Sequence, residues 1–80
     1  YTNILKLENA KHSVNQAIES VKSKYETEKI NYLETCIMPK DNNLLAHVFE
    51  VHMLEDVYKV YVNSNDLTIL KMFKISGVHL

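Results

Sequence analysis

Apolar residues recur at alternating spacings of three and four along the first third of the chain. The series is Ile4, Leu7, Val14, Ile18, Val21 and Tyr25, widened by Ala10 and Ala17. Side chains at this period lie on one face of a helix. We predict a helix over about residues 8–26. Asn9 and Ser13 are both candidate N-caps, and Gln16 stands three residues after Ser13 as in a capping box.

The spacing of apolar residues changes from three and four to two after Glu28. Alternation of apolar and polar positions is typical of strands. It predicts strands at about residues 29–38, 44–54, 57–63 and 68–75. Polar connections at 39–43, 55–56 and 64–66 supply turn-forming residues between them.

The alternation also predicts which residues share a face in the first two strands. In the first strand, the loose alternation puts Ile30, Tyr32, Cys36 and Met38 on one side. In the second strand, Leu45, Phe49, Val51 and Met53 face one way. Because side chains alternate across a strand, the residues between them face the other way.

Short turns between consecutive strands indicate antiparallel pairing, and the apolar helix stripe is the available cover for one face of the sheet. We therefore predict an α+β fold in which one N-terminal helix packs on an antiparallel sheet of three to four strands, in the order α-β-β-β-β. We expect residues 1–80 to form a single small domain. The same helix stripe also matches the heptads of a coiled coil, in which a second chain would cover it.

Composition narrows the classes of function. The chain has 80 residues, 9 basic and 10 acidic, and a formal net charge of -1, so it lacks the positive footprint of a nucleic-acid-binding protein. One glycine leaves no phosphate-binding loop, and one cysteine excludes an internal disulfide. No apolar stretch is long enough to span a membrane. Because the chain begins at Tyr1, we expect any signal peptide or anchor to lie upstream.

The histidines do not form a recognisable metal or catalytic motif. His12 is expected on the helix and His79 in the tail, while His47 and His52 are five apart on one strand and therefore point to opposite faces. Glu50 shares a face with His52, which allows an acid–base pair or an ion pair on a solvent-facing sheet surface. We assign no catalytic, cofactor-binding or metal-binding residues, expect no cofactor, and do not expect an enzyme.

Cys36 lies on a strand with no base beside it, so we interpret it as a buried structural thiol, with a reactive or intermolecular thiol as the alternative. Tyr58 and Tyr61 lie on opposite faces of the third strand, one in the core and one exposed. Tyr61 beside Lys59 suits a protein-binding surface, although tyrosine is also common in strands generally. The candidate partner-binding face consists of Glu50, His52, Lys59 and Tyr61.

The stretch from Val57 to Lys71 resembles the end of a PepSY domain. That family typically has a helix with an Ala-Ile pair, a strand ending in Tyr-x-Val-x-Val-Asp, a turn, and an Ile-Leu or Val-Leu close. Here Ala17-Ile18 lies on the predicted helix and Phe49-Glu50-Val51 matches the family's middle strand. Tyr58 to Asn63 matches the strand ending, and Ile69-Leu70 matches the close. The resemblance covers about residues 10–72. The chain departs from the family at Asp66-Leu67, where Thr-Gly is usual, and because leucine disfavours positive φ we expect this turn to differ.

The resemblance implies a cystatin-like layout and a non-catalytic module of a bacterial protein, secreted or membrane-anchored outside the cytoplasm. It further implies a protein partner such as a peptidase or a cell-envelope protein, which the module would bind or inhibit as a monomer. A second hypothesis is an oligomerisation or adaptor domain, with a homodimer formed through the helix heptads or an open sheet edge. A third hypothesis is a small enzyme using Glu50 and His52.

Overall fold

The computed structural model of the protein describes residues 11–38 and 41–77. Over these residues the elements follow in the order α1 (Val14–Lys24), β1 (Lys29–Met38), β2 (Asp41–Met53), β3 (Asp56–Asn63) and β4 (Ile69–Gly77). Every strand pairs antiparallel with its neighbour in sequence, so the sheet order is β1-β2-β3-β4. The predicted α+β fold and its element order are confirmed.

Ser13 sets the start of α1. Its side chain accepts a hydrogen bond from the Gln16 backbone N–H at 3.2 Å, and its own N–H donates to Gln16 Oε1 at 2.8 Å, which completes the capping box. Ser13 has extended backbone angles, as an N-cap does. The predicted start near residue 8 is therefore wrong over residues 11–13, and His12 precedes the helix instead of lying on it. Residues 8–10 lie outside the described part of the chain.

The end of α1 also differs slightly from the prediction. Tyr25 is extended, with φ -135° and ψ 150°, so the helix ends at Lys24 and not at residue 26. The N–H of Tyr25 still donates to the Val21 carbonyl at 3.0 Å. Tyr25 also packs against the core as the chain turns toward β1. Its apolar contact thus continues the helix stripe after the helical backbone has ended.

The apolar stripe of α1 packs on one face of the sheet. Ala17 and Val21 are fully buried, and they form one cluster with Phe49, Val51, Val60 and Val62 from the two central strands. Val14, Ile18 and Tyr25 are partly buried against the same cluster. The helix-on-sheet interpretation is confirmed for these residues, whereas the predicted stripe residues Ile4 and Leu7 lie outside the described range.

The pairing of β2 with β3 is unbroken from Ala46, opposite Asn63, to Met53, opposite Asp56. Directly paired residues point to the same side of a sheet, so the predicted alternation of these strands can be followed without interruption. Phe49 and Tyr58 lie on the helix side, while Tyr61 lies on the opposite side. We call that opposite side the helix-free face, because α1, the helix within residues 11–38 and 41–77, packs on the other side. The prediction that Tyr58 and Tyr61 occupy opposite faces is confirmed.

β1 contains a bulge that changes its faces halfway along. Tyr32 pairs with Phe49, but Glu34 pairs with Val48, so Leu33 is an extra residue. A bulge shifts all following side chains to the other face. Cys36, opposite Ala46, therefore lies on the helix-free face and not with Tyr32. The prediction that the two share a side is wrong, because the uneven alternation of β1 was treated as continuous.

The other edge strand is interrupted twice. Leu70 is extra between the pairs made by Ile69 and Lys71, and Ile75 is extra between those made by Lys74 and Ser76. Bulges on edge strands disturb the row of free backbone groups that another strand would need for pairing. Both edges of this sheet are therefore poor templates for edge-to-edge association.

The predicted bounds of β1 and the predicted end of β3 are confirmed, and the other strand bounds differ by one to three residues. Residues 41–43, which we predicted in a turn, belong to β2, because the ladder with β1 reaches the pair Met38 and Asp41. The remaining predicted turn residues, Pro39 and Lys40, lie outside the described part of the chain. β2 ends at Met53, β3 begins at Asp56, and β4 extends to Gly77, which pairs with Asp56.

Leu54 has a positive φ of 51° in the two-residue connection between β2 and β3. A leucine in this left-handed region costs about 1–2 kcal/mol of conformational free energy. Because the Leu54 side chain is 83% exposed, its packing offsets little of that cost. Leu54→Gly removes the strain at an entropic cost of about 0.5–1 kcal/mol. We expect it to stabilise the protein by up to about 1 kcal/mol in urea unfolding. A lower stability of the variant would contradict this account.

Leu67 is the matched control, because it also has a positive φ, of 65°, but packs against the core. Leu67→Gly should destabilise the protein, since the loss of its buried surface, about 2 kcal/mol, exceeds the relief of strain. We expected this turn to differ from the family's because leucine disfavours positive φ, but Leu67 adopts a positive φ. The N–H of Leu67 donates to the Asn63 carbonyl at 2.8 Å, and its own carbonyl accepts from Lys24 Nζ at 3.1 Å.

Candidate functional site

The four residues of the predicted partner-binding face lie together on the helix-free face. Glu50 and His52 come from β2, and Lys59 and Tyr61 come from β3. Glu50 is directly opposite Lys59 across the ladder, and Tyr61 is opposite Val48. The unbroken register of the two central strands places all four on this face.

Glu50 is the centre of a small polar cluster. Its Oε1 accepts hydrogen bonds from His52 Nε2 at 2.9 Å and from Asn31 Nδ2 at 3.1 Å. The bond from His52, followed by the bond from Asn31, lowers the pKa of the Glu50 carboxyl below its ordinary value. Glu50 is therefore an ionised acceptor at neutral pH. It can hold a cation or a donor, but it is poorly suited to act as a general base.

We expect the Glu50 carboxyl to titrate below an ordinary glutamate when followed by NMR. A lowered folded-state pKa adds stability above the unfolded pKa, and this is lost as the pH falls through the folded pKa. The loss therefore lies in the acid range, at and below the ordinary glutamate pKa. His52→Ala should raise the Glu50 pKa toward its ordinary value, because it removes the larger of the two hydrogen-bond effects. A Lys22→Ala control on α1 should leave it unchanged.

Two aromatic rings and two lysines form a second cluster on the same face. The Tyr61 and Phe73 rings have centroids 6.4 Å apart. Lys59 Nζ lies 5.6 Å from the Tyr61 centroid, and Lys71 Nζ lies 5.8 Å and 5.3 Å from those of Tyr61 and Phe73. These distances are in the range of cation–π attraction. The surface is thus both aromatic and positively charged.

Lys71 and Phe73 were not among the predicted face residues. β3–β4 pairing sets Tyr61 opposite Lys71 and Lys59 opposite Phe73. The alternation of Lys71 with Phe73 was a usable signal for a shared face. The bulge at Leu70 hid which face that was, because it breaks the count from the preceding turn.

The charges of the helix-free face are only partly paired. On this face, the ion pair among residues 11–38 and 41–77 is His52 with Glu50. The other pair, Lys74 with Asp56 at 3.7 Å, joins residues that lie opposite Tyr58 and Met53, on the helix side. Lys59 and Lys71 contact aromatic rings and pair with no carboxylate in this part of the chain. Glu50 does not bridge to Lys59, although the two are opposite in the ladder. Both signs of charge are therefore available to a bound molecule.

His47 lies on the helix side, so the prediction that His47 and His52 point to opposite faces is confirmed. His47 is only 1% exposed. Its Nε2 lies 2.7 Å from the His12 carbonyl, and its Nδ1 lies 2.8 Å from Thr35 Oγ1, which is 2.6 Å from the Tyr32 hydroxyl. Because a carbonyl only accepts, Nε2 carries the proton. In the neutral ring Nδ1 then accepts from Thr35, whose oxygen accepts from Tyr32.

The His47 network joins the segment before α1 to the sheet. His12 also donates its N–H to the Ser64 carbonyl at 2.8 Å, which fastens this segment to the turn after β3. Both ring nitrogens of His47 are occupied by these structural bonds. The network therefore connects the segment before α1 to the sheet. It was not predicted from the sequence, because His47 bonds to the backbone of a distant residue.

A groove of about 480 Å³ runs beside the start of α1. It is lined by His12, Asn15, Gln16, Glu19, Ser20 and Leu67. The groove is open to solvent, and one side of it is already bridged by a contact of 3.3 Å between His12 Nδ1 and Gln16 Oε1. Glu19 is the charged carboxylate among its lining residues. This arrangement does not assemble a nucleophile with a base.

Cys36 is partly buried and not fully buried as predicted. Burial, followed by the nearby Glu34 carboxylate, raises the pKa of its thiol. A raised pKa keeps the thiol protonated at neutral pH, and the thiolate is the reactive form. The setting agrees with a structural thiol better than with a nucleophile.

No group of three His, Cys, Asp or Glu side chains within residues 11–38 and 41–77 is arranged to hold a metal ion. The helix in this part of the chain is too short and too polar to cross a membrane. His79, the remaining predicted histidine, lies outside the described residues.

Comparisons with family models, with curated proteins and with solved structures find no match to this chain.

Proposed function

We propose that this chain is a non-catalytic protein-binding module that engages its partner through the helix-free face. The observation that carries the proposal is the convergence of Glu50, His52, Lys59 and Tyr61 with Lys71 and Phe73 on one side of the sheet. Among the described elements, α1 packs on the other side. On this side Ala46 and Val48 are fully buried, while Glu50, His52, Lys59 and Tyr61 are partly exposed. The face is positioned by the two central strands, which are the most regular in the sheet.

The composition of this face suits protein recognition. Phe73 is 38% exposed and Tyr61 is half-buried, so each presents a ring to a bound molecule while remaining anchored in the sheet. Aromatic residues are enriched at interface centres, and their contacts with lysines add specificity for charge. Glu50, fixed by His52 and Asn31, supplies an ordered acceptor beside them. A surface with ordered aromatic, cationic and anionic groups can select one partner by complementarity.

The class of partner follows from the resemblance to PepSY domains. On that basis we propose a peptidase or a cell-envelope protein as the partner, in a bacterial protein that is secreted or membrane-anchored outside the cytoplasm. Inhibition would occur by occupation of the peptidase surface, without a covalent step. The turn at Leu67 supports this resemblance, since its positive φ is the conformation that the family's glycine would provide.

A binding and inhibition assay tests the proposal. The protein is mixed with purified secreted peptidases of the serine, cysteine and metallopeptidase classes. Complex formation is followed by size-exclusion chromatography, and the cleavage rate is followed with labelled casein. We expect a complex with, and slower cleavage by, at least one of them. Lys59→Ala and Tyr61→Ala should weaken this effect, while Lys22→Ala on α1 should not.

The rival hypotheses receive less support from the described residues. The helix stripe is already covered by the sheet, and both edge strands are bulged, so the two surfaces considered for an oligomerisation domain are occupied or irregular. For an enzyme, Glu50 would be a weak base, since its pKa is lowered. If some hydrolytic activity were found, loss of that activity in His52→Ala would favour the enzyme over the binding module.

A further inference from the structure

The tip of the β2–β3 hairpin carries an exposed leucine in a strained backbone conformation. Leu54 is 83% exposed, whereas the other exposed large apolar side chains within residues 11–38 and 44–75 are between 38% and 46% exposed. A single exposed leucine is ordinary on a protein surface. Its φ of 51° is not, because bulky side chains disfavour the left-handed region. The combination of exposure and strain at one residue therefore needs a physical reason.

The other leucine with a positive φ has such a reason inside the fold. Leu67 has a φ of 65°, but its side chain packs against the core and its carbonyl accepts a hydrogen bond from Lys24. These contacts offset the strain at Leu67. Leu54 does not belong to the core cluster and its side chain faces water, so packing within the described residues offers no such compensation. Strain without an internal reason points to a functional contact.

The hairpin holds Leu54 in a fixed place. Met53 pairs with Asp56, so Leu54 and Glu55 alone form the connection between the two strands. A two-residue connection normally has glycine, asparagine or aspartate where φ is positive. The ladder behind the connection is unbroken, and Met53 packs against the core. Because the short loop restricts the leucine before any partner arrives, binding costs less conformational entropy.

An unpaired acidic group lies beside the leucine. Glu55 is exposed and forms no ion pair within residues 11–38 and 41–77. The next residue, Asp56, pairs with Lys74 at 3.7 Å. The start of β1, which lies beside this end of β2, adds Glu28 and Lys29, whose charges are opposite. The hairpin tip thus presents one apolar side chain and one negative charge that has no partner among the described residues.

We propose that Leu54 fills an apolar pocket of a partner protein, while Glu55 pairs with a lysine or arginine at the rim of that pocket. Transfer of the leucine from water into the pocket supplies binding free energy. An anionic membrane surface would accept the leucine but repel Glu55, which favours a protein as the occupant. The inference rests on the proposed function, because the tip continues the helix-free face, whose residue His52 precedes Leu54 by two positions.

Calorimetric titration of variants against the same panel of peptidases tests the inference. Leu54→Asn should weaken binding about 10- to 100-fold, because it removes the apolar side chain. Asparagine tolerates the left-handed region, so urea unfolding should show this variant to be at least as stable as the unmodified chain. Leu54→Met, which keeps an apolar side chain of similar size, should lose much less affinity. Glu55→Lys should weaken binding at least about tenfold, since it places like charges together. Leu33→Asn, at the other exposed leucine, is the matched control and should bind normally.

The outcomes separate this inference from the proposed function. Unchanged affinity of Leu54→Asn for a peptidase whose binding depends on Tyr61 would overturn the inference and leave the proposed function standing. Weaker binding of Leu54→Asn with no effect of Tyr61→Ala would support the hairpin tip and contradict the role of the helix-free face. If the unmodified chain binds no peptidase of the panel, both fail. Leu54-dependent sedimentation with phosphatidylglycerol vesicles would assign the leucine to a membrane surface and would also overturn the inference.

Discussion

The Phe49→Ala variant is expected to lose about 3–5 kcal/mol of folding free energy, the usual cost of truncating a buried phenylalanine. Phe49 is fully buried on the central strand β2, in the cluster formed with α1, and its ring lies 5.8 Å from that of Tyr32. A chain of this length has about 4–12 kcal/mol of stability in total. The variant should therefore be largely or wholly unfolded near 37 °C. Urea unfolding followed by circular dichroism measures the loss.

Phe73→Ala is the matched control for this substitution. It removes the same side chain from the helix-free face, where Phe73 is 38% exposed. We expect a smaller loss, of about 1–2 kcal/mol, because part of the Phe73 surface already faces water and its removal leaves no closed cavity. If the two phenylalanines cost the same, the helix would not pack where the structure places it.

The His47→Leu variant is expected to lose about 2–4 kcal/mol. Leucine keeps most of the volume, but it leaves the His12 carbonyl without its donor, at about 1–3 kcal/mol for a buried group. It also leaves the Thr35 hydroxyl without the acceptor for its proton, although Thr35 still accepts from Tyr32. The same urea titration measures the effect. Amide hydrogen exchange should in addition show faster exchange at the His12 N–H, which bonds to the Ser64 carbonyl.

A double-mutant cycle separates the hydrogen-bond network from general packing at His47. Thr35→Val removes one partner, and the cost of His47→Leu should be smaller in that background by at least about 0.5 kcal/mol. His52→Leu, on the other face of the same strand, should cost below about 1 kcal/mol, since it removes only a surface pair with Glu50. Strictly additive effects of Thr35→Val and His47→Leu would show that the two side chains are not coupled.

The order of the elements could be predicted because each depends on local pattern. The alternation on β2 and β3 is uninterrupted, so Phe49 was correctly placed on one face with Val51, and Tyr58 and Tyr61 on opposite faces. Ser13 and Gln16 form a local motif, and the capping box was one of two predicted starts of the helix. The helix was nevertheless predicted too long. The spacing of apolar residues alone does not show that Ser13 is the N-cap. Its extended backbone means that this helix begins after it.

The features that could not be predicted depend on registers and on distant partners. The bulge at Leu33 moves Cys36 to the helix-free face, and its position follows from pairing with β2, not from the sequence of β1. Leu67 adopts a positive φ because its side chain packs on the core and Lys24 binds its carbonyl. His47 is a buried polar residue on an apolar face. It is tolerated there because the backbone of His12, 35 residues away, supplies an acceptor.

The face as a whole was partly predictable. Glu50, His52, Lys59 and Tyr61 all come from the two strands whose alternation is regular, and the structure places them together. Lys71 and Phe73 complete the aromatic cluster but come from β4, where two bulges shift the alternation. The part of the face formed by β2 and β3 could therefore be predicted. The part formed by β4, and the irregular edge of that strand, could not.

The simple strand order has a consequence for the route by which the chain folds. Each strand pairs only with its neighbour in sequence, so the whole sheet can form through short-range loop closure. The contacts of α1 with the turn after β3 are far longer in range, such as the bond from Lys24 to Leu67, 43 residues apart. We expect the sheet to assemble first and the helix to dock after the rate-limiting step. Destabilising changes in α1 should then accelerate unfolding and leave the folding rate nearly unchanged.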